Sequence, residues 1–388
     1  MVGFSIIMPI LPYYAESMGA SATELGLLTA TYATLQFFFA PMWGRISDRV
    51  GRKPVLLLGL FGFTFTFIGF GLSTELWMLF ASRTISGLLT SATLPTVMAF
   101  IADTTEREQR GVGMSQLGAA MGLGTIFGPV LGGLLGTFSP STPFFVAAGL
   151  GFAVAVFATI FLPESLSPQM RAAAKISDKP RKSGIVSIFS MLGGPLAILL
   201  ILALLISFAM AQLESTSALF YERKFSAGEA ELGMIFMVMG VVSFLTQMFL
   251  VGRVINWLGE ERTIQFSLVG GTFSFLLYPL INSLVSAMAV VSLMGLITSF
   301  MRPALNSIIS KRTPADEQGV TMGVTNSYYS LGRMFGPVTG GLIFDYLGLN
   351  GPFLFASGIM ALGIGLSFIL LGKRMQLQTS TSTHQAGE

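Results

Sequence analysis

Four charged side chains, Arg83, Glu214, Arg302 and Arg333, stand inside long apolar runs of the sequence. Each such charge costs roughly 2.5–3.5 kcal/mol to place in hydrocarbon, so it is expected to have a use. Glu214 is the only carboxylate of the four, and a carboxylate in an apolar chamber can take a proton or a cationic ligand. Arg333 sits near the middle of its run, and Arg302 lies about two turns from a run's end. For Glu214 the competing reading is snorkelling, because its run ends only one to two turns later. Gln36, Gln116 and Asn326 are uncharged polar groups within runs; they could line the same chamber or simply bond helix to helix. The 388 residues contain no cysteine, and the single histidine, His384, lies in a polar tail. Disulfides, thiolate zinc sites and cysteine nucleophiles are therefore excluded, and no metal or other cofactor is expected.

The apolar runs that hold these charges dominate the chain. Hydrophobic residues make up 52% and charged residues 11%, against about 25% charged in a soluble domain. Runs cover 1–18, 24–44, 54–72, 76–100, 111–137, 143–162, 194–219, 229–252, 263–281, 284–308, 318–347 and 350–372. Each is near the ~20 residues that cross a bilayer as a helix. Barrel strands would alternate in polarity, and Val55–Leu72 is apolar all round. The first run is short for a crossing and has neither a basic leader nor a cleavage site, so the given start is expected to lie inside helix 1.

Charge placement gives the orientation. Seventeen of the 22 Lys and Arg fall in loops on one side, and only Arg223 and Lys224 on the other. The positive-inside rule makes the first side, with both termini, cytoplasmic. The net charge of +3 is thus a topology signal, and no nucleic-acid partner is expected. Residues 163–192, with Pro163, Pro168 and Pro180 and five basic residues, read as a linker between a bundle at 1–162 and another at 193–372, with a tail at 373–388.

A shift of 208 residues superposes the halves. It pairs Gly44 with Gly252, Arg45 with Arg253, Gly51 with Gly259, Gly87 with Gly295, Pro95 with Pro303 and Gly111 with Gly319. It also pairs Gly124, Gly128, Pro129, Gly132 and Gly133 with Gly332, Gly336, Pro337, Gly340 and Gly341. Chance gives about two to three Gly–Gly matches at one offset, and eight are present. An even number of crossings per half makes this a parallel repeat, the plan of a large transporter class whose substrate site lies between the halves.

Two local patterns stand out within that plan. Gly44-Arg45-Ile46-Ser47-Asp48-Arg49-Val50-Gly51-Arg52-Lys53 sets one carboxylate among four cations at a helix junction. Asp48 can accept bonds from a neighbouring arginine and from a helix N-terminus, giving a latch between the halves; the plainer reading is a solvated basic loop. In the fifth run Gly124, Gly128, Gly132 and Gly136 form a ridge interrupted by Pro129, suited to a close, tilting helix contact or to static packing.

The first pattern resembles the G-x-x-x-D-R-x-G-R-[RK] signature of the major facilitator superfamily, through Gly44, Asp48, Arg49, Gly51, Arg52 and Lys53. Gly124-x-x-x-Gly128-Pro129-x-x-Gly132-Gly133 is similar to the motif of its drug:proton antiporter branch, with Ser115 where that branch has a further glycine. Ala81-Ser82-Arg83 before Gly87 resembles the family's intramembrane arginine motif. The resemblance implies an all-α membrane protein of twelve transmembrane helices in two pseudo-symmetric six-helix bundles. It also implies a helix-7 acid at the place of Glu214, whereas a second acid sometimes found on helix 10 is here Ser299.

Together these readings predict a monomeric, multi-pass transporter in the cell membrane, with the lipid bilayer as its surroundings. It is expected to exchange protons for lipophilic or cationic drugs by alternating access. Export of an endogenous metabolite, sugar or lipid-like compound is the alternative on the same scaffold. An enzyme is not expected, since no nucleophile, base and metal converge, and a receptor reading lacks an extramembrane domain.

Overall fold

The computed structural model describes residues 2–106, 109–167, 196–314 and 317–385, with 169, 171, 191 and 194. Among them there are helices and no strands. Twelve helical segments follow the sequence: α1 (Val2–Ser5 and Ile7–Ser17), α2 (Ala22–Val50), α3 (Arg52–Gly71), α4 (Leu76–Thr90 and Thr93–Thr104), α5 (Arg110–Gly136) and α6 (Thr142–Phe161). After the linker come α7 (Ala197–Phe225), α8 (Glu229–Leu258), α9 (Glu260–Leu280), α10 (Leu284–Lys311), α11 (Gln318–Leu347) and α12 (Gly351–Gln385). Most of the expected linker, including Pro168 and Pro180, lies outside the described residues.

Ten of the twelve are long and apolar enough to span a bilayer. The exceptions, α1 and α11, are respectively short and broken, and rich in polar residues. Between 17% and 56% of each apolar span is buried within the protein, so most of these surfaces need lipid. Phe65, Phe157, Phe161 and Trp257 are among the large apolar side chains left facing out.

Several helices run past the apolar windows. α2 continues to Val50 and α7 to Phe225, because the helix persists where charged residues take over from apolar ones. Gly44 is consequently helical and makes no turn. The α2–α3 turn is Gly51 alone, at φ 122°, and its repeat mate Gly259, at φ 76°, makes the α8–α9 turn.

Two of the expected straight spans are interrupted, at equivalent places. α4 breaks at Ser91 and Ala92, and α10 at Ser299 and Phe300. Pro95 and Pro303 supply the cause: lacking an N–H, each leaves the carbonyl four residues earlier, that of Ser91 or Ser299, without its helical bond. The breaks are 208 residues apart, as are the prolines.

Packing repeats with the same offset. α1 lies on α5 as α7 lies on α11, α2 on α4 as α8 on α10, and α3 on α6 as α9 on α12. Between the two bundles α2 packs along α11, and α8 along α5. Each bundle holds its own aromatic core: Phe67, Phe70 and Phe144 in the first, Phe220, Tyr278 and Phe353 in the second.

Candidate functional site

The glycines of α5 and α11 face the seam. A Cβ on Gly128 or Gly132 would strike α1 at Ser5 or Ile6, and one on Gly133 would strike α8 at Glu229 and Gly233. The mates repeat this: Gly336 and Gly340 abut α7, and Gly341 abuts α2 at Ala22 and Thr23. Gly124 is buried too, and α5 runs unbroken through Pro129. Each ridge thus seats a helix of its own bundle and one of the opposite bundle.

Among the described residues, only one end of the seam is closed. There Asp345 of α11 caps α2, accepting from Thr23 N at 2.8 Å, Thr23 Oγ1 at 2.6 Å and Ala22 N at 3.3 Å. Arg223 of α7 pairs with Glu16 of α1 at 3.0 Å while lying over the Phe344 ring, and Tyr13 Oη donates to the Ala227 carbonyl. Near the seam's middle, a Cβ on Gly122 would touch Phe244 at 3.1 Å. Beyond that, Gly44, Gly118, Gly252, Gly319 and Gly323 face open space, with nothing within 4 Å of such a Cβ. The bundles therefore splay apart at the end where Gly51 and Gly259 make their turns.

A cavity lies in the seam below the closed end. It is walled by α1 (Phe4, Ile7, Leu11), α2 (Leu25, Tyr32), α4 (Arg83), α7 (Glu214, Ser215) and α11 (Arg333, Pro337). Three of the four in-span charges meet here. Glu214 lines this cavity, 11 residues inside the end of α7, so it faces the seam. Its carboxylate is accessible from the cavity, whose wall also carries Arg333. Arg83 is 6% exposed, between the rings of Tyr32 and Phe70 at 5.6 and 5.4 Å.

The remaining candidates are elsewhere. Arg302 lies outside the cavity wall, stacked 4.3 Å over Tyr329. Gln36, Gln116 and Asn326 are also outside it; Gln36 is half-buried and the other two are exposed. Nearby polar groups bond helix to helix instead: Gln212 Nε2 donates to Thr339 Oγ1 at 3.1 Å, and Tyr329 Oη to Asn306 Oδ1 at 3.2 Å.

At the open end the expected latch is held within the first bundle. Arg52 is 8% exposed and binds Asp48 at 2.6 Å, Ser47 Oγ at 2.6 Å and Asp103 at 2.9 Å. The N-terminus of α3 is capped by Glu164, not Asp48: Glu164 accepts from Arg52 N at 2.9 Å and Lys53 N at 3.3 Å. Lys53 Nζ reaches the Thr159 carbonyl at 2.8 Å, and Arg49 is exposed on the last turn of α2. With the bundles apart, none of the contacts described for this cluster crosses to the other bundle.

The family model of the Major Facilitator Superfamily matches residues 1–337, and again 293–386. The chain belongs to the major facilitator superfamily. Among curated relatives of this family it is 31% identical over 374 residues to multidrug resistance protein 2 of Bacillus subtilis (strain 168), covering 96% of this chain and 92% of that protein. It is 34% identical over 356 residues to the class D tetracycline resistance protein of Salmonella ordonez, covering 89% and 86%. In fold it is similar to a bacterial homologue of the human lysosomal transporter Spinster, with TM-score 0.74, 14% identity and coverage of 95% and 93%.

Sequence reasoning passed over three residues that organise this facilitator. Glu16, Arg223 and Glu164 all stand at run ends, where solvation explains a charge adequately. Asp103 and Asp345 read in the sequence as weaker candidates explained by helix-end solvation; Asp103 is the partner of Arg52 and Asp345 the cap of α2. Nothing in a single sequence says which helix ends meet.

Proposed function

We propose that this chain is a proton-driven exporter of amphiphilic drugs, working by alternating access between its two bundles. The observation that carries the reading is a seam cavity, closed at one end and splayed at the other, with Glu214 as the only carboxylate in its wall among the described residues. One carboxylate offered alternately to two aqueous sides can trade a proton for a ligand, which is the minimum an exchanger requires. Relatives at 31–34% identity bearing the names of multidrug and tetracycline resistance proteins support drugs as cargo. A transporter also accounts for the duplicated plan.

The positive-inside rule puts the splayed end in the cytoplasm, so the cavity faces inward. In this reading 1–162 and 193–372 are the moving bodies and 163–192 is their tether. The 44–53 cluster is a latch that engages the other bundle once the cytoplasmic ends close. A monomer suffices, because one chain supplies every wall of the cavity.

The test is ethidium efflux from drug-sensitive bacteria expressing the chain, before and after a protonophore. Efflux that stops when the proton gradient collapses supports the reading. Efflux that continues dismisses proton coupling, and the absence of any dye efflux dismisses drug export.

A further inference from the structure

Arg83 is a buried cation without a counter-ion. Its Nε has no hydrogen-bond partner and no water access, and among the described residues no carboxylate pairs with it. The rings of Tyr32 and Phe70 compensate for part of its desolvation, but a ring quadrupole is a weak substitute for an anion. Leaving a guanidinium buried and unpaired is among the costlier arrangements a protein can keep.

The surrounding charges sharpen the point. The cavity wall carries two guanidiniums, Arg83 and Arg333, against the single carboxylate of Glu214. Among the described residues Glu214 forms no ion pair with Arg83. Around the unpaired cation the wall is apolar and aromatic: Phe4 and Tyr32 have ring centres 5.4 Å apart, with Ile7, Leu11 and Leu25 beside them.

We infer that the cavity takes planar amphiphiles bearing an acid group, and that Arg83 receives that group. The apolar body of the ligand lies along α1 and α2, and a basic group, where the ligand has one, falls to Glu214. A carboxylate fits the guanidinium fork in a bidentate manner and supplies the charge that the protein omits. A plain lipophilic cation satisfies Glu214 but leaves Arg83 as it is. The inference rests on the efflux reading for its cavity, yet it concerns binding, and binding is what tests it.

Rhodamine B and rhodamine B ethyl ester share one cationic aromatic body and differ only in a free carboxylate. Their affinities for the purified full-length chain in detergent are compared by fluorescence anisotropy. Wild type is expected to bind the acid about tenfold or more tighter than the ester, the scale of one charge-assisted hydrogen bond. Arg83→Gln is expected to bring the ratio to about 1, and Arg83→Lys, which keeps the charge but loses the fork, to an intermediate value. If Arg83→Gln does not fold, the wild-type ratio and its fall in Arg83→Lys decide. Equal binding of the two dyes by wild type overturns the inference, as does binding of neither. Equal weakening of both dyes by Arg83→Gln also overturns it, since that is the mark of a packing role. Ethidium efflux is read separately: efflux without an acid preference sinks only this inference, while an Arg83-dependent preference without efflux sinks only the drug-export reading.

Discussion

Arg52 and Asp103 are joined at 2.9 Å, and 208 residues further on the same two places are held by Glu260 and Lys311, also joined, with the charges exchanged. The duplicated plan thus conserves a tie between the third helix of a bundle and the end of its fourth, while leaving the sign free. Burial separates the copies. The Arg52 side chain is 9% exposed, whereas that of Lys311 is 68% exposed. Double-mutant cycles to alanine, followed by denaturant unfolding in mixed micelles, are expected to give about 1–3 kcal/mol of coupling for Arg52–Asp103. The same measurement on Glu260–Lys311 is expected to give less than about 1 kcal/mol. Equal couplings would show that burial does not decide the matter.

The closed end of the seam offers a second check, made simple by the absence of native cysteine. Thr23 and Asp345 are within hydrogen-bonding distance across the bundles, 2.6 Å between side-chain oxygens. Thr23→Cys with Asp345→Cys is expected to cross-link under mild oxidation, to stop dye export, and to recover on reduction. Export that continues in fully cross-linked protein would mean this end need not open.

The glycine ridge predicts a shift in that equilibrium. A Cβ on Gly133 would collide with the Glu229 carbonyl on the opposite bundle in this state, which is closed at this end. Gly133→Ala is therefore expected to lower the Thr23/Asp345 cross-linking yield, through a population shift of about tenfold. Gly149 on α6 faces open space, so Gly149→Ala should leave the yield alone. Similar yields from both variants would detach the ridge from alternation.

The twelve spans were legible because lipid imposes length and polarity on each helix by itself, and the repeat because glycine and proline positions survive duplication. Pro95 and Pro303 were even paired, though the breaks they cause at Ser91 and Ser299 were not foreseen. Glu214, Arg83 and Arg333 stood out through the cost of charge in hydrocarbon, and the structure brings all three to one cavity. What could not be read was who meets whom at helix ends. Arg302 was singled out by the same cost as Glu214, yet it stacks on Tyr329, a partner 27 positions away on another helix. Asp48 was given the cap of α3 because it is near in sequence, and Glu164 holds it because it is near in space. Proximity across a bundle is a tertiary property, invisible to spacing along one chain.

Glu214 carries the last prediction, which separates the coupling step from the ligand step. Replacing the carboxylate by an amide keeps its size and removes both its charge and its proton. Two activities can be measured in the same proteoliposomes: uptake of dye driven by a pH gradient, and exchange of labelled for unlabelled dye with no gradient. Gradient-driven transport needs a group that gains and loses a proton on each cycle, whereas exchange needs only that the bundles rock with ligand aboard. Glu214→Gln is therefore expected to lower gradient-driven uptake at least about tenfold while exchange of rhodamine B persists, because the acid group of that dye is held by Arg83. Glu214→Asp, which keeps the titrating group, should restore a measurable part of the driven rate. If Glu214→Gln still accumulates dye against a gradient at the wild-type rate, the proton travels by another route, and Glu214 is a wall residue only.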